Sequence, residues 1–488
     1  MNLSKTKYCN AVQCNKMLWL NINKPEEAEE VKNSSILDNG TEVGIVAKDL
    51  FGFHFDVSYN DNLSIMISDT EKLLHLDKVV ITEASFKYNN NFCSVDILKK
   101  DKDNFEIYEV KSSTEVKDIF IDDISYQVYV LTKLGYNITK ACIVYINNKY
   151  EYKDKLELDK LFNIEDVTDR LRKIEEIENK IKEINNYMEQ KSEPEEFLGM
   201  HCVKPYDCPF FKYCTKDLDE YNVFNIRLMH NDQKFKLYNK GIFEYKDLLK
   251  EDLNPKYIEQ MEFELYNKEP YINKEKIKEF LDTLYYPLYF LDFETFQMPI
   301  PKYNKINPYN QIPFQYSLHY IEKENGELEH KEFLAEPDID PRRKLAESLV
   351  KDIPKDVCVL VYNMGFEKPA IKKLASLYPD LSDHLMNIHD NIKDLIIPFR
   401  NRDYYIKEMY GSYSIKYVLP ALFPDDPSLN YHNLELIHHG GEAMSAYAEM
   451  GKLDEEEQKK LREALLKYCE LDTFAMVKIY EKLKELVD

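Results

Sequence analysis

The stretch LYFLDFETF, residues 288–296, sets two carboxylates, Asp292 and Glu294, into an otherwise apolar run. Side chains two apart on a strand share a face. Asp292 and Glu294 therefore point the same way, between Phe290, Leu291 and Phe293. Burying acids on such a strand is costly unless they are paired or bind a metal. A fold that packs this strand must bring partners to it. Two later stretches offer them. VLVYNMGFEKP presents Asn363 and Glu367 where a strand passes into a helix, and LLKYCELDTFAM puts Tyr468 and Asp472 four apart, on one helical face. Four carboxylates from three separated elements can hold two metal ions about 4 Å apart, one activating water and one stabilising the leaving oxygen. Tyr468 is placed to orient that water.

LYFLDFETF, FQYSLHYIE and HKEFLAEP read as three successive strands. DPRRKLAESLVKDI reads as a helix with Asp340 at its cap and Pro341 in its first turn. Strand VCVLVYN, helix FEKPAIKKLASLY and a long last helix from DEEEQKK follow. This order implies an α/β sheet of mixed direction with helices against it. The ordered set D-x-E, N-x-x-x-(D), Y-x-x-x-D resembles the DEDD exonucleases of the DnaQ-like, RNase H-fold superfamily, Tyr subclass, over about residues 285–488. Glu367 stands where that family has Asp. The resemblance implies magnesium or manganese on Asp292, Glu294, Glu367 and Asp472, a role for Tyr468, and trimming of single strands from a 3′ end. Between these motifs, Arg400, Arg402, Lys407, Tyr410, Tyr413 and Lys416 interleave basic and aromatic side chains. Such a mixture can track a single strand by charge and stacking; an ordinary polar loop and helix explains it equally well.

Upstream, FCSVDILKK and FEIYEVKSS read as strands around the turn DKDN, then a helix DISYQVYVLTKLG ending at Gly135, then strand KACIVYIN. This is an α/β core. Val167, Leu171, Ile174, Ile177, Ile181 and Ile184 form one stripe and predict a long amphipathic helix. Glu109 and Lys111 share a strand face with Val110 turned inward, and Asp96 ends the apolar run of the preceding strand. Two carboxylates and a lysine meeting there make a metal-assisted phosphodiesterase kit. The acids bind magnesium or manganese through oxygen, and the lysine orients water or stabilises phosphate charge. Glu and Lys also alternate on many solvated strands. The order Asp96, Glu109-x-Lys111, then a helix with Gln127, resembles the RecB-like branch of the PD-(D/E)XK nucleases, with Tyr129 closer to Gln127 than is usual there. The upstream His of many members has no counterpart; Glu42 and Glu83 are the nearest acidic candidates.

HCVKPYDCPFFKYC spaces Cys202, Cys208 and Cys214 evenly, and unrelated core thiols have no reason to do so. Thiolates suit an iron–sulfur cluster or structural zinc, whose paired ligands are usually spaced more tightly. Four-cysteine RecB-like nucleases, among them CRISPR-associated exonucleases and AddB-type nuclease domains, carry one Cys before the core and three after it. The resemblance implies a structural 4Fe–4S cluster on Cys14, Cys202, Cys208 and Cys214, with His201 and Cys9 as substitutes in a different ligand set.

At 488 residues the chain has room for about two to four domains. Its 44% hydrophobic and 31% charged residues fit a globular protein. The net charge of −23 argues against a passive nucleic-acid coat but not against an enzyme that grips phosphates through metal ions. No apolar run is long enough for a bilayer span, and the start lacks the apolar core of a signal peptide, so a cytoplasmic, membrane-free protein with reduced cysteines is expected. The expected organisation is a PD-(D/E)XK restriction-endonuclease-like domain over 1–215, a mainly helical connector over 216–284, and an RNase H-like exonuclease domain over 285–488. The two-domain layout also resembles a bacterial family so arranged. The expected activity is metal-dependent hydrolysis of DNA or RNA, in repair, recombination or defence. The alternatives are a single active head, or an idle nucleic-acid-binding module.

Overall fold

Backbone pairing, more than helical periodicity, decides where the elements of the first half begin and end. The computed structural model describes residues 2–29 and 34–487 as a mixed α/β protein. Its chain groups into two units, Met1–Leu218 with Met298–Asn310, and Asp219–Gln297 with Gln311–Asp488. The helices Asn231–Tyr238, Pro255–Tyr266 and Lys274–Leu281 thus belong to the second unit.

Unit 1 opens with two short helices, α1 (Lys5–Gln13) and α2 (Asn15–Asn23). Strands β1 (Lys78–Tyr88), β2 (Asn91–Asp101) and β3 (Asn104–Lys111) form an antiparallel meander. Helix α3 (Asp118–Lys133) crosses over to β4 (Asn137–Ile146), which lies parallel to β3, and β5 (Phe162–Asp166) closes that edge antiparallel. Short strands Phe55–Asp56 and Leu3–Ser4 pair with β1 and β2. Helix α3 ends where Gly135, at φ +93°, takes a left-handed turn that a side chain would disfavour. Phe120, Ile121, Ile124, Val130 and Leu131 of α3 are buried in one core with Ile81, Val95 and Ile107 of the sheet.

The amphipathic stripe is only partly helical. Helix α4 (Ile174–Met188) buries Ile177, Ile181 and Ile184, whereas Val167 and Leu171 precede it. Residues 162–166 pair with β4 instead, and the Val167 N–H continues the pattern to Ala141 O at 2.9 Å. A strand register won over a helical period that the sequence also carried.

Unit 2 is built on β6 (Leu288–Phe296), β7 (Ile312–Ile321) and β8 (Leu328–Leu334), successively antiparallel. Helix α5 (Arg342–Asp352) leads to β9 (Cys358–Val361), then α6 (Met364–Leu377), α7 (Pro379–Asp390) and β10 (Ile392–Asp394). The sheet order is β8-β7-β6-β9-β10, with β9 parallel to β6 and β10 parallel to β9. Leu291 and Phe293 face a core shared with Leu345, Leu349, Ile371 and Leu385 of α5, α6 and α7. Asp292 and Glu294 thereby turn to the opposite face. That face is covered by α9 (Gly440–Met450) and the 33-residue α10 (Glu455–Val487), against which α8 (Ile415–Leu422) packs.

The turn that launches α8 depends on Gly411, at φ +72°. A Cβ there would collide with the buried Gln260 carboxamide, whose Oε1 accepts from Arg227 N–H at 2.9 Å. Gly411→Ala is expected to lower stability by about 2 kcal/mol, through strain and the broken contact. A fall in the urea midpoint with unchanged slope would show this. Among the described residues, no helix is long and apolar enough to cross a membrane.

Candidate active sites

In unit 1 Asp96, from the middle of β2 rather than its end, meets Glu109 and Lys111 at the end of β3, and α3 adds Gln127. Lys111 Nζ lies 2.7 Å from Glu109 Oε1 and 2.6 Å from Asp123 Oδ2. Gln127 Nε2 donates to Glu109 Oε2 at 2.7 Å and to Asp123 Oδ1 at 3.0 Å. Asp96 Oδ2 accepts the Val110 N–H at 2.7 Å, which fixes its carboxylate beside Glu109. Lys5, from α1, reaches Asp96 at 3.2 Å and Glu109 at 3.0 Å. Lys5, Asp96, Glu109, Lys111 and Asp123 line a cavity of about 770 Å³ that also receives Lys48, Glu83 and Tyr206, with Gln127 buried behind them.

Burial alone would lower the Lys5 pKa, but Asp96, Glu109 and Asp123 outweigh it and hold it well above its usual value. Lys111 is likewise raised, with Asp123 and Glu109 overcoming burial. Burial and Asp96 push Glu109 upward, yet Lys111 and Lys5 bring it below the usual carboxylate range. The cluster is thus a network of ions of both signs. Of the two upstream acids, Glu42 pairs with Lys302 at 3.4 Å. Glu83 faces the cavity from a left-handed backbone, φ +56°, between the Thr82–Ile97 and Ala84–Val95 pairs of the β1–β2 ladder. A non-glycine residue in that conformation carries about 1–3 kcal/mol of strain, and such residues cluster at functional sites. Tyr129 is buried edge-to-face against Tyr88.

In unit 2 the acids are arranged differently. One ligand atom each from Asp292, Glu294 and Asp472 lie within 4.8 Å of one another. Glu294 and Glu367 are buried, and Glu367 Oε2 has no hydrogen-bond partner among the described residues. Tyr431 donates to Asp472 Oδ1 at 2.6 Å, and the buried Tyr468 hydroxyl also favours the ionised form of this carboxylate. The first turn of α9 rests against Glu294: a Cβ on Gly440 would lie 3.6 Å from its Oε2. Burial, then Asp472, Glu294 and Glu367, drive Asp292 well above its ordinary pKa. Burial and Asp472 lift Glu294 to about 8 against the pull of Lys416. Burial and Asp394 lift Glu367 to about 8, and burial takes Asp472 to about 6 despite Tyr431 and Lys416. Four carboxylates here repel one another where those of unit 1 are neutralised by lysines.

The raised values fix a pH dependence. Between pH 4.5 and 8 the folded state holds protons on Glu294 and Glu367 that the unfolded chain has released, so stability falls as pH rises through that window. In chelator, the melting temperature is expected to drop from pH 5.5 to 8.5. Glu294→Gln should flatten the slope, and manganese should restore stability most at the alkaline end.

The four cysteines Cys14, Cys202, Cys208 and Cys214 line one small pocket with Lys16, Met17 and Phe210. Burial raises the pKa of all four thiols. His201 borders the same pocket, while Cys9 lies in the acidic cavity of unit 1. Among the described residues, the cysteines are not among the groups whose ligand atoms all lie within 4.8 Å of one another.

The basic and aromatic stretch divides. Arg402 is buried, paired with Glu259 at 3.3 Å, bonded to Gly411 O at 2.8 Å and stacked on Tyr405. That side chain holds the fold and is not available to a strand of nucleic acid. Lys407 bonds Asn267, Tyr413 O accepts from Tyr362, and Tyr410 is exposed. Lys416 alone of this group acts on the acids.

Sequence reasoning missed Lys5, Asp123, Tyr431 and Asp394. Asp123 had a signal, standing four before Gln127 on the same helical face. Asp394 had a weaker one, an acid at the end of an apolar strand. Its Oδ1 accepts from Asn363 N–H at 2.9 Å, which holds the left-handed residue (φ +80°) that starts α6 and so places Glu367. Lys5 and Tyr431 lie too far away in sequence for any local pattern.

Residues 289–414 match a family described as a domain of unknown function, DUF2779. The match spans Asp292, Glu294, Glu367 and Asp394 and stops before Tyr468 and Asp472. An uncharacterised protein of Mycoplasma genitalium is 28% identical over 214 residues, covering 41% of this chain and 32% of that protein. An uncharacterised protein of Ureaplasma parvum is 24% identical over 220 residues, covering 41% of this chain and 31% of that protein. The matched segment spans about a third of the length of these curated relatives.

Proposed function

We propose that the protein is a metal-dependent nuclease with two active sites, a PD-(D/E)XK-like one in unit 1 and an RNase H-like, DEDD-type one in unit 2. The observation that carries this reading is the unit 2 cluster, where Asp292, Glu294 and Asp472 converge within 4.8 Å and the buried Glu367 Oε2 is unpartnered among the described residues. Oxygen-only donors whose mutual repulsion Lys416 and Tyr431 only partly relieve fit magnesium or manganese. Bound there, divalent ions supply Lewis-acid stabilisation of phosphate charge and acidify water. The side chains of the chain do the rest. Tyr468 and Tyr431 hold Asp472 in place, and Lys416 offers a cation toward an incoming phosphate. The strand order β8-β7-β6-β9-β10 supports the RNase H-like reading.

In unit 1, Asp96 and Glu109 are the metal-holding pair, Lys111 is the phosphate- or water-facing cation, and Gln127 with Asp123 fixes their geometry. The pocket of Cys14, Cys202, Cys208 and Cys214 suits a 4Fe–4S cluster, which would tie the start of α2 to the segment 200–214 in a structural role. The substrate class is DNA or RNA with single-stranded ends. The test is degradation of 5′-end-labelled single-stranded DNA and RNA in magnesium or manganese. It compares the anaerobically purified protein with Asp292→Asn, Lys111→Ala and the double variant. Two separable product patterns support two active sites; intact substrate under every condition refutes the reading.

A further inference from the structure

On the face of β7 and β8 that meets α10 lies a second cluster, built from different chemistry. His319 of β7 stands directly opposite His330 of β8 in the antiparallel register. Residues opposite one another on a ladder share a face. Glu470 of α10 completes the group: one ligand atom from each of the three lies within 4.8 Å of the others. Glu332, two residues along β8 from His330 and hence on the same face, feels both His330 and Glu470.

The hydrogen bonds around the imidazoles fix their tautomers. Thr473 Oγ1 lies 3.1 Å from the Glu470 carbonyl, which can only accept, so the threonine proton goes there. Thr473 Oγ1 must then accept from its other two neighbours, His319 Nδ1 at 2.8 Å and Ser317 Oγ at 2.7 Å. With its proton so used, Ser317 Oγ accepts from His330 Nε2 at 2.9 Å. One proton thus occupies each of the four contacts. The lone pairs left over are His319 Nε2 and His330 Nδ1. Metal-binding imidazoles are held in this way, the second nitrogen donating to a neighbour that fixes the ring. Ser317 and Thr473 are buried, so the relay is shielded from water, while Glu470 is exposed and leaves an approach from solvent.

We propose that His319, His330 and Glu470, with Glu332 in reach, form a binding site for a divalent transition ion of the zinc class. Two imidazoles and a carboxylate are a donor set for such ions, whereas magnesium prefers oxygen throughout. The site stands apart from the oxygen-only cluster and does not depend on the nuclease reading. Its location gives it a structural consequence: Glu470 and Thr473 flank Asp472 on α10, so an ion there pins that helix to the edge of the sheet.

The test uses the full chain, purified anaerobically and stripped of loosely held metal, titrated with zinc and with cobalt as an optical probe. Compared are the unaltered protein, His330→Ala, Glu470→Gln, Asp292→Asn and the Asp292→Asn/His330→Ala double variant. The unaltered protein is expected to bind one more equivalent of zinc than His330→Ala, and Asp292→Asn one more than the Asp292→Asn/His330→Ala double variant, with a zinc-dependent rise in melting temperature that His330→Ala lacks. Glu470→Gln, an exposed change that leaves the core intact, should weaken that equivalent about 10-fold or more. It decides the matter if His330→Ala fails to fold. Equal zinc binding and equal thermal shifts in the unaltered protein and Glu470→Gln would overturn the proposal. Equal zinc binding by Asp292→Asn and the Asp292→Asn/His330→Ala double variant would overturn it too, by assigning the ion to a different set of ligands.

Discussion

Asp292→Asn is expected to reduce release of nucleotides from single-stranded 3′ ends by about 1000-fold while leaving the protein folded. Burial raises the Asp292 pKa well above its ordinary value, and Asp472, Glu294 and Glu367 all add to it. An amide of the same shape cannot bring an anion to a divalent ion. Losing metal stabilisation of phosphate charge costs several kcal/mol, and about 4 kcal/mol corresponds to three orders of magnitude in rate. The same change removes one of four mutually repelling charges. Without divalent ions, the variant should therefore melt no lower than the unaltered protein, and higher above pH 7. That pairing separates a chemical defect from a folding defect. An Asp292→Asn protein that keeps full exonuclease activity would remove the unit 2 site from the reading.

The parts legible in the sequence were those where a local pattern and a physical cost coincide. Acids inside LYFLDFETF had to be answered by partners, and they are met by Asp472 from a helix that the sequence also marked. Glu109 and Lys111 on one strand face, with Gln127 on the next helix, needed only strand and helix periods to be placed. What escaped was contributed from far away. Lys5 lies 104 residues before Glu109, and no spacing rule links an N-terminal helix to a strand end. Strand β1 escaped because its polar residues interrupt the alternation, Glu83 among them, in a backbone conformation that composition does not announce. Arg402 read as a surface cation because charge in sequence says nothing of burial; its partner, Glu259, comes from the distant helix Pro255–Tyr266. The stripe from Val167 to Ile184 shows the converse, a helical period that ladder hydrogen bonds overrode for its first members.

Lys111→Ala is expected to abolish the cleavage that unit 1 supports, by about 100-fold or more, and to leave unit 2 trimming in place. Lys111 bonds both Glu109 and Asp123, which are 2% and 10% exposed at their side chains. Removing one partner of a buried ion pair leaves uncompensated charge, a change that costs about 3–5 kcal/mol. Lys5 still contacts Glu109 and Asp96, so the loss here belongs at the lower end, near 3 kcal/mol. With Lys111 gone, burial and Asp96 push the Glu109 pKa upward against Lys5 alone, and its affinity for a divalent ion falls at neutral pH. The measurement is the product pattern of end-labelled substrate, with retained unit 2 products as the internal proof that the chain is folded. A lysine needed only to neutralise the acids would be replaceable by saturating manganese, which brings the same positive charge to Asp96 and Glu109. A lysine that contacts the phosphate would not. Rescue of Lys111→Ala by manganese therefore assigns the residue to charge compensation, and failure of rescue in a folded protein assigns it to the reacting phosphate.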